Sequence, residues 1–203
     1  MLKKILLLGI SALSAYAMHT AEININNKDL ELDAQIDIGQ FNDAVEPDTM
    51  FVGVKFFNAD AEHSDNEYAD IDPYYEVSFL MMRPVGNQGL KIGLGVKLNY
   101  TEITLPEFNS NKDFMTIPLG LEADYKLPFK GYFPMHLSGE LYYAPSVLSF
   151  SNADSFFEYR MSCELEVIDN GRVIFGYRSL DTNYENMDFS YNSSWYVGFK
   201  VKF

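Results

Sequence analysis

The stretch His136-Leu137-Ser138-Gly139-Glu140 sets an imidazole, a hydroxyl and a carboxylate at every second position. These are the residue types of base-activated serine chemistry, which needs hydrogen-bond reach between base and nucleophile. On a strand they would share one face, but alternate residues there stand farther apart than a direct hydrogen bond. The trio therefore reads as polar lining, with no catalytic residue assigned. A second candidate is NADAEHSDNEYADID, where Asp60, Glu62, His63, Asp65 and Glu67 could offer oxygen and imidazole ligands to a divalent cation. Oxygen-rich loops suit calcium, yet the spacing is not that of an EF-hand and no glycine fixes the turn, so a solvated acidic loop is the preferred reading. Cys163, the only cysteine, excludes an internal disulfide and reads as a small packing residue. No cofactor is implied.

The elements that must carry these residues show one period. In LKIGLGVKLNY, Leu90, Ile92, Leu94, Val96, Leu98 and Tyr100 share a face opposite Lys91, Gly93, Gly95, Lys97 and Asn99. The same alternation recurs from Leu30 to Ile38, Met50 to Phe56, Tyr75 to Met81, Met115 to Tyr125, Leu137 to Tyr143, Phe157 to Leu165, Val173 to Tyr177 and Trp195 to Phe203. Period two over such runs predicts half-buried strands. In INNKDL a two-residue turn at Asn27-Lys28 sets Ile25 opposite Leu30 and Ile23 opposite Leu32. About ten antiparallel strands result (8–10), joined alternately by short turns (FNDAVEPD, RPVGNQG, LPFKGYFP, IDNGR) and by longer polar stretches (NADAEHSDNEYADID, EITLPEFNSNKD, APSVLSFSNAD, SLDTNYENMDFSYNSS).

Residues 1–17, MLKKILLLGISALSAYA, have the basic, apolar and small-x-small regions of a secretory signal peptide cleaved after Ala17; 18–203 is then one domain. With Lys3 and Lys4 removed, 13 of the 15 basic residues remain against 29 acidic ones, a net charge of −16 that disfavours nucleic acid. At 47% hydrophobic and 15% aromatic the chain is not disordered. Mean hydropathy of −0.13 excludes a bundle of membrane helices.

Alternation fits two folds: a barrel in lipid with its apolar face outward, or a soluble barrel with that face inward. Charges expected on the polar face are Lys55, Glu76, Lys91, Lys97, Glu122, Asp124, Lys126, Glu140, Glu158, Arg160, Glu164, Glu166, Arg178 and Lys200. Tyr75, Tyr100, Tyr143, Tyr159, Tyr177 and Trp195 fall on the apolar face near the long-loop end of each strand. That is the height of membrane headgroups, and it selects the transmembrane barrel with short periplasmic turns and longer extracellular loops. The soluble ligand-binding barrel stays the fold-level alternative. Glycines 93, 95, 120, 176 and 198 are expected to free inward volume, and Pro118, mid-strand, to force a bulge or kink.

The closing run, with Trp195, Val197, Phe199, Val201 and Phe203 on one face, resembles the C-terminal signal that bacterial barrel-insertion machinery recognises. INNKDLELDAQIDIG, LKIGLGVKL, IPLGLEADYKLP, LYYAPSVLSFSNAD and FGYRSLDTNY, in that order, resemble the YfaZ family of Gram-negative outer-membrane proteins. The resemblance implies a small outer-membrane barrel and brings no catalytic residues. The expectation is a monomer in contact with outer-membrane lipid and lipopolysaccharide, structural or narrowly porin-like with a weak cation preference. One alternative is a surface binding module, an adhesin or receptor acting through acidic extracellular loops. A more distant one is a lipid A-modifying barrel enzyme, since His-x-Ser also occurs in lipid A deacylases; here, however, His136 sits beside a periplasmic turn, far from outer-leaflet lipid.

Overall fold

The computed structural model describes residues 19–59, 70–86, 89–105, 110–128, 133–184 and 187–203. Its strands are β1 (Thr20–Ile25), β2 (Leu30–Asp37), β3 (Met50–Asn58), β4 (Asp70–Ile71), β5 (Tyr74–Val85), β6 (Leu90–Leu105), β7 (Ser110–Thr116), β8 (Leu119–Lys126), β9 (Met135–Ala144), β10 (Ser149–Ser151), β11 (Ser155–Ile168), β12 (Gly171–Tyr184) and β13 (Met187–Lys202). No α-helix occurs among the described residues. Antiparallel pairing runs β1–β2–β3–β5–β6–β8–β9–β11–β12–β13 and returns to β1, closing a ten-stave barrel. The leading hairpin has the expected register, Ile23 opposite Leu32 and Ile25 opposite Leu30. Its turn is held by the Asn26 side chain, which accepts from the Lys28 and Asp29 amides at 2.8 and 2.7 Å.

Which face is outside is decided by exposure. On β6, Ile92, Leu94, Val96, Leu98 and Tyr100 are exposed while Gly93, Gly95, Lys97 and Asn99 are buried, and Leu94 is 61% accessible. Val52 and Val54, Val77 and Phe79, Leu119 and Leu121, and Phe175 repeat the pattern. A protein with an apolar wall outside and its charges inside is inverted relative to a soluble domain, which removes the soluble-barrel alternative. Polar aromatics of the outer wall sit side by side on neighbouring staves: Tyr75 lies opposite Tyr100, Tyr177 opposite Trp195, and the Tyr159 and Tyr177 rings are 5.8 Å apart.

Pro118 interrupts a stave outright. β7 and β8 are its two halves: β8 pairs with β9, whereas β7 pairs with β10. The Ile117 amide donates to Leu148 at 2.8 Å, and Pro118 accepts from the Lys97 amide at 3.0 Å. Proline's missing donor thus falls where the stave changes partner.

Two expectations change. EITLPEFNSNKD and SLDTNYENMDFSYNSS, read as long loops, are mostly strand: β6 continues to Leu105 and β7 starts at Ser110, while β12 reaches Tyr184 and β13 starts at Met187. Their Asn, Asp and Ser residues look like turn formers, but Leu180 and Thr182, like Phe189 and Tyr191, keep the alternation going. The interior is also not polar throughout. At the rim where β3, β6 and β12 end, Phe57, Tyr74, Ile103, Phe114, Phe156, Leu180, Phe189 and Tyr191 pack into an apolar plug with Ala59, Ala144 and Ala153. We call this the loop rim. The opposite one, where β2 hands over to β3 and β11 to β12, is the turn rim.

Candidate functional site

Beneath the plug the barrel is crossed by a belt of ion pairs. Arg178 and Arg160 both converge on Glu31: Arg160 forks onto it at 2.6 and 2.7 Å, and Arg178 lies at 3.2 Å. Arg178 also reaches Asp29 at 3.3 Å, and its guanidinium lies 4.0 Å from the centre of the Phe57 ring. Lys97 meets Glu158 at 2.9 Å and Glu76 and Glu140 at 3.5 Å, beneath the Tyr142 ring. Lys55 meets Glu76 at 3.4 Å. Desolvated charges persist only when paired in this way.

Below the belt lies a chamber of about 320 Å³ whose lining reaches the turn rim. On its wall Glu164 accepts from Lys200 at 2.9 Å and Arg172 at 3.0 Å, and Lys200 also meets Glu22 at 2.9 Å. At the mouth, Asp48 pairs with Lys202 at 2.7 Å and with Lys91. Burial pushes the Asp48 carboxyl up, but the two hydrogen-bonded ammonium groups outweigh it and hold the group below its ordinary value.

Of the charges expected inside, Lys55, Glu76, Lys97, Glu158, Arg160, Glu164 and Arg178 are buried. Lys91, Glu122, Asp124, Glu140, Glu166 and Lys200 are half-buried and line the chamber. Lys126 departs from the expectation: it ends β8 at the turn rim, where there is no wall to enclose it, and is exposed. Asp48 and Arg172, placed in turns by sequence, join the interior network, as does Asp29 beside the leading turn.

The inward glycines do not leave open space. Tyr142 lies over Gly95 and Gly120, Tyr196 over Gly176, Leu80 and Met82 over Gly93, and Asn24 over Gly198. Missing side chains seat neighbouring ones, so close packing is kept. The plug was also missed, although doublets signal it: Phe56-Phe57, Tyr74-Tyr75 and Phe156-Phe157 supply one ring outward and one inward each.

His136 and Ser138 do not meet each other. Both meet Asp124, at 3.1 and 3.2 Å, and Ser138 also donates to Glu164 at 3.3 Å. The Ser138 hydroxyl is thus held by two carboxylates and not by the His136 imidazole. Asp60, Glu62, His63, Asp65 and Glu67 lie outside the described residues. Cys163 is on the outer wall between Leu137 and Phe175. Trp195 and Val197 are exposed on that wall, with Phe199, Val201 and Phe203 half-buried.

Compared with known proteins, the family described as YfaZ precursor matches residues 2–203. No curated protein matches. Among solved structures, a chain described under "Unveiling the Mechanism Behind the in-meso Crystallization of Membrane Proteins" is similar at 13% identity and a TM-score of 0.41, over 93% of this chain and 83% of that one.

Proposed function

The chain belongs to the YfaZ family, and from that premise we propose that it is a closed, monomeric barrel that serves the outer membrane structurally rather than as a pore. The observation that carries this reading is the plug of eleven buried residues stacked on the ion-pair belt. Together they fill the loop-side half of the bore. In this reading the turn rim faces the periplasm and the loop rim the exterior, as short and long connections divide in such barrels. Residues 1–17 are removed on export, the cell is Gram-negative, and the outward row from Trp195 to Phe203 engages the insertion machinery. Lipid and lipopolysaccharide are the partners of the apolar wall. The interior supports no cation path, because its lysines and arginines are held by carboxylates across the bore. The protein acts without catalysis, a reading that hydrolysis of lipid A by the purified barrel would overturn.

Liposome swelling tests the reading. Vesicles carrying the folded protein should swell in small sugars no faster than empty ones; swelling at a porin's rate would end it. A surface-binding role draws some support from β12 and β13, which continue beyond Tyr177 and Trp195 to Tyr184 and Met187. Cells lacking the protein but adhering normally to host matrix would count against that second role.

A further inference from the structure

The connection between β2 and β3 is fastened across the chamber mouth. Asp37, at the end of β2, accepts from the Gly39 amide at 2.9 Å and from the Asp48 amide at 2.6 Å, which ties the two ends of the connection together. Asp48 has φ 63°, the left-handed region that aspartate enters more readily than most residues. From there its carboxylate reaches Lys91 on β6 and Lys202 on β13. In the ten-stave circuit β6 and β13 are diametric: β5, β3, β2 and β1 separate them one way, and β8, β9, β11 and β12 the other. One carboxylate therefore joins ammonium groups from opposite walls.

Two cations about one anion leave that seat with a positive charge in excess. It is reached by water, since the Lys91, Lys202 and Asp48 side chains are 35%, 26% and 28% exposed. Deeper in the chamber Glu122 stands opposite Glu140, with Asp33 also on the wall. The deeper cations Lys200, Arg172 and Lys97 are already held by Glu22, Glu164 and Glu158, so the mouth is where an outside anion meets two cations that share a single carboxylate.

We propose that Lys91 and Lys202 form an anion seat that Asp48 occupies as an internal ligand, so that a carboxylate or phosphate group displaces Asp48 and lifts the strap off the chamber. That the group arrives from the periplasm rests on the orientation proposed above; the seat does not, because purified protein exposes both rims. The test is phosphate titration of the full mature barrel in zwitterionic nanodiscs, read by calorimetry, for the wild-type chain, Asp48→Asn and Asp48→Ala. Both variants should bind inorganic phosphate roughly tenfold more tightly, the factor by which a seat about nine-tenths self-occupied weakens an outside ligand. Adding Lys91→Ala and Lys202→Ala should abolish the gain. In a Cys163→Ser background, Ser162→Cys on the chamber wall should react several-fold faster with a membrane-impermeant maleimide once Asp48 is replaced. If nanodiscs containing phosphatidylglycerol speed that reaction in the wild-type chain, the phosphate source is a lipid headgroup; if only free phosphate does, it is a soluble anion. Equal phosphate affinity and equal labelling in the wild-type chain and both variants, each shown folded by Trp195 emission, overturn the proposal. Labelling of Phe41→Cys from outside intact cells would overturn the orientation alone.

Discussion

Arg178 gives the sharpest energetic test of the interior. Its side chain is 0% exposed, with Asp29 at 3.3 Å, Glu31 at 3.2 Å, Asn192 at 3.2 Å and the Phe57 ring at 4.0 Å. Arg178→Ala leaves Glu31 with Arg160, and Asp29 with its hydrogen bonds from Asn26, Asn192 and Ser194. Removing one partner from buried pairs costs about 3–5 kcal/mol, and losing the ring contact adds about 1 kcal/mol. A total of about 4–6 kcal/mol lowers a urea midpoint by roughly 2–3 M at a slope of about 2 kcal/mol per molar. The comparison is Arg83→Ala, whose pair with Glu46 at 3.1 Å is 57% and 70% exposed and whose loss costs under about 1 kcal/mol. Unfolding of refolded protein in phosphatidylcholine vesicles is followed at Trp195, the only tryptophan, which stands on the outer wall. Arg178→Met, which keeps a stem over Phe57, should recover part of the loss. If Arg178→Ala fell within 1 kcal/mol of Arg83→Ala, about the ceiling for an exposed pair, the belt could not be what holds the barrel's middle together.

Two further outcomes follow from the same contacts. Gly176→Ala would put a Cβ 2.5 Å from Tyr196 Cζ, whose ring lies under Arg160 and Arg178; overpacking should cost about 1–3 kcal/mol in the same urea assay. At the turn rim, the lowered Asp48 carboxyl stabilises the fold at every pH above its ordinary value, and the contribution disappears as pH falls through the lowered one. Asp48→Asn should therefore be less stable than wild type by about 1 kcal/mol from neutral pH down to about pH 4, and equal to it in stronger acid. A gap that closed already by pH 5 would contradict the clamp.

How much of this was legible in the sequence depended on the range of the interaction. Period two is local, so the outward row Ile92, Leu94, Val96, Leu98, the hairpin register at Ile23 and Leu32, and the belt of Tyr75, Tyr100 and Trp195 could all be read from neighbouring residues. A bulge or kink at Pro118 followed from one missing donor, but not the outright division of the stave into β7 and β8. The belt could be foreseen as charges facing inward but not as pairs, because Glu31 meets arginines 129 and 147 positions away. Arg172 and Asp48 lie beside turns, and only closure of the barrel brings them to Glu164 and Lys202. The plug was hidden for a different reason. Reading one apolar face per strand leaves the second ring of each doublet unassigned, and in Phe57, Tyr74 and Phe156 that second ring is what fills the bore. Glycines misled in the same way: Gly95 and Gly120 looked like space until Tyr142 was placed over them.

The measurement that bears most directly on the closed bore is single-channel conductance of refolded residues 18–203 in a planar bilayer, with insertion verified by protease protection. A plug of Phe57, Phe114, Phe156 and Phe189 above paired Lys97 and Arg160 predicts a flat trace in molar salt at both polarities. Stable, cation-selective steps would contradict the account and make the lysines and glutamates of the belt the lining of a pore.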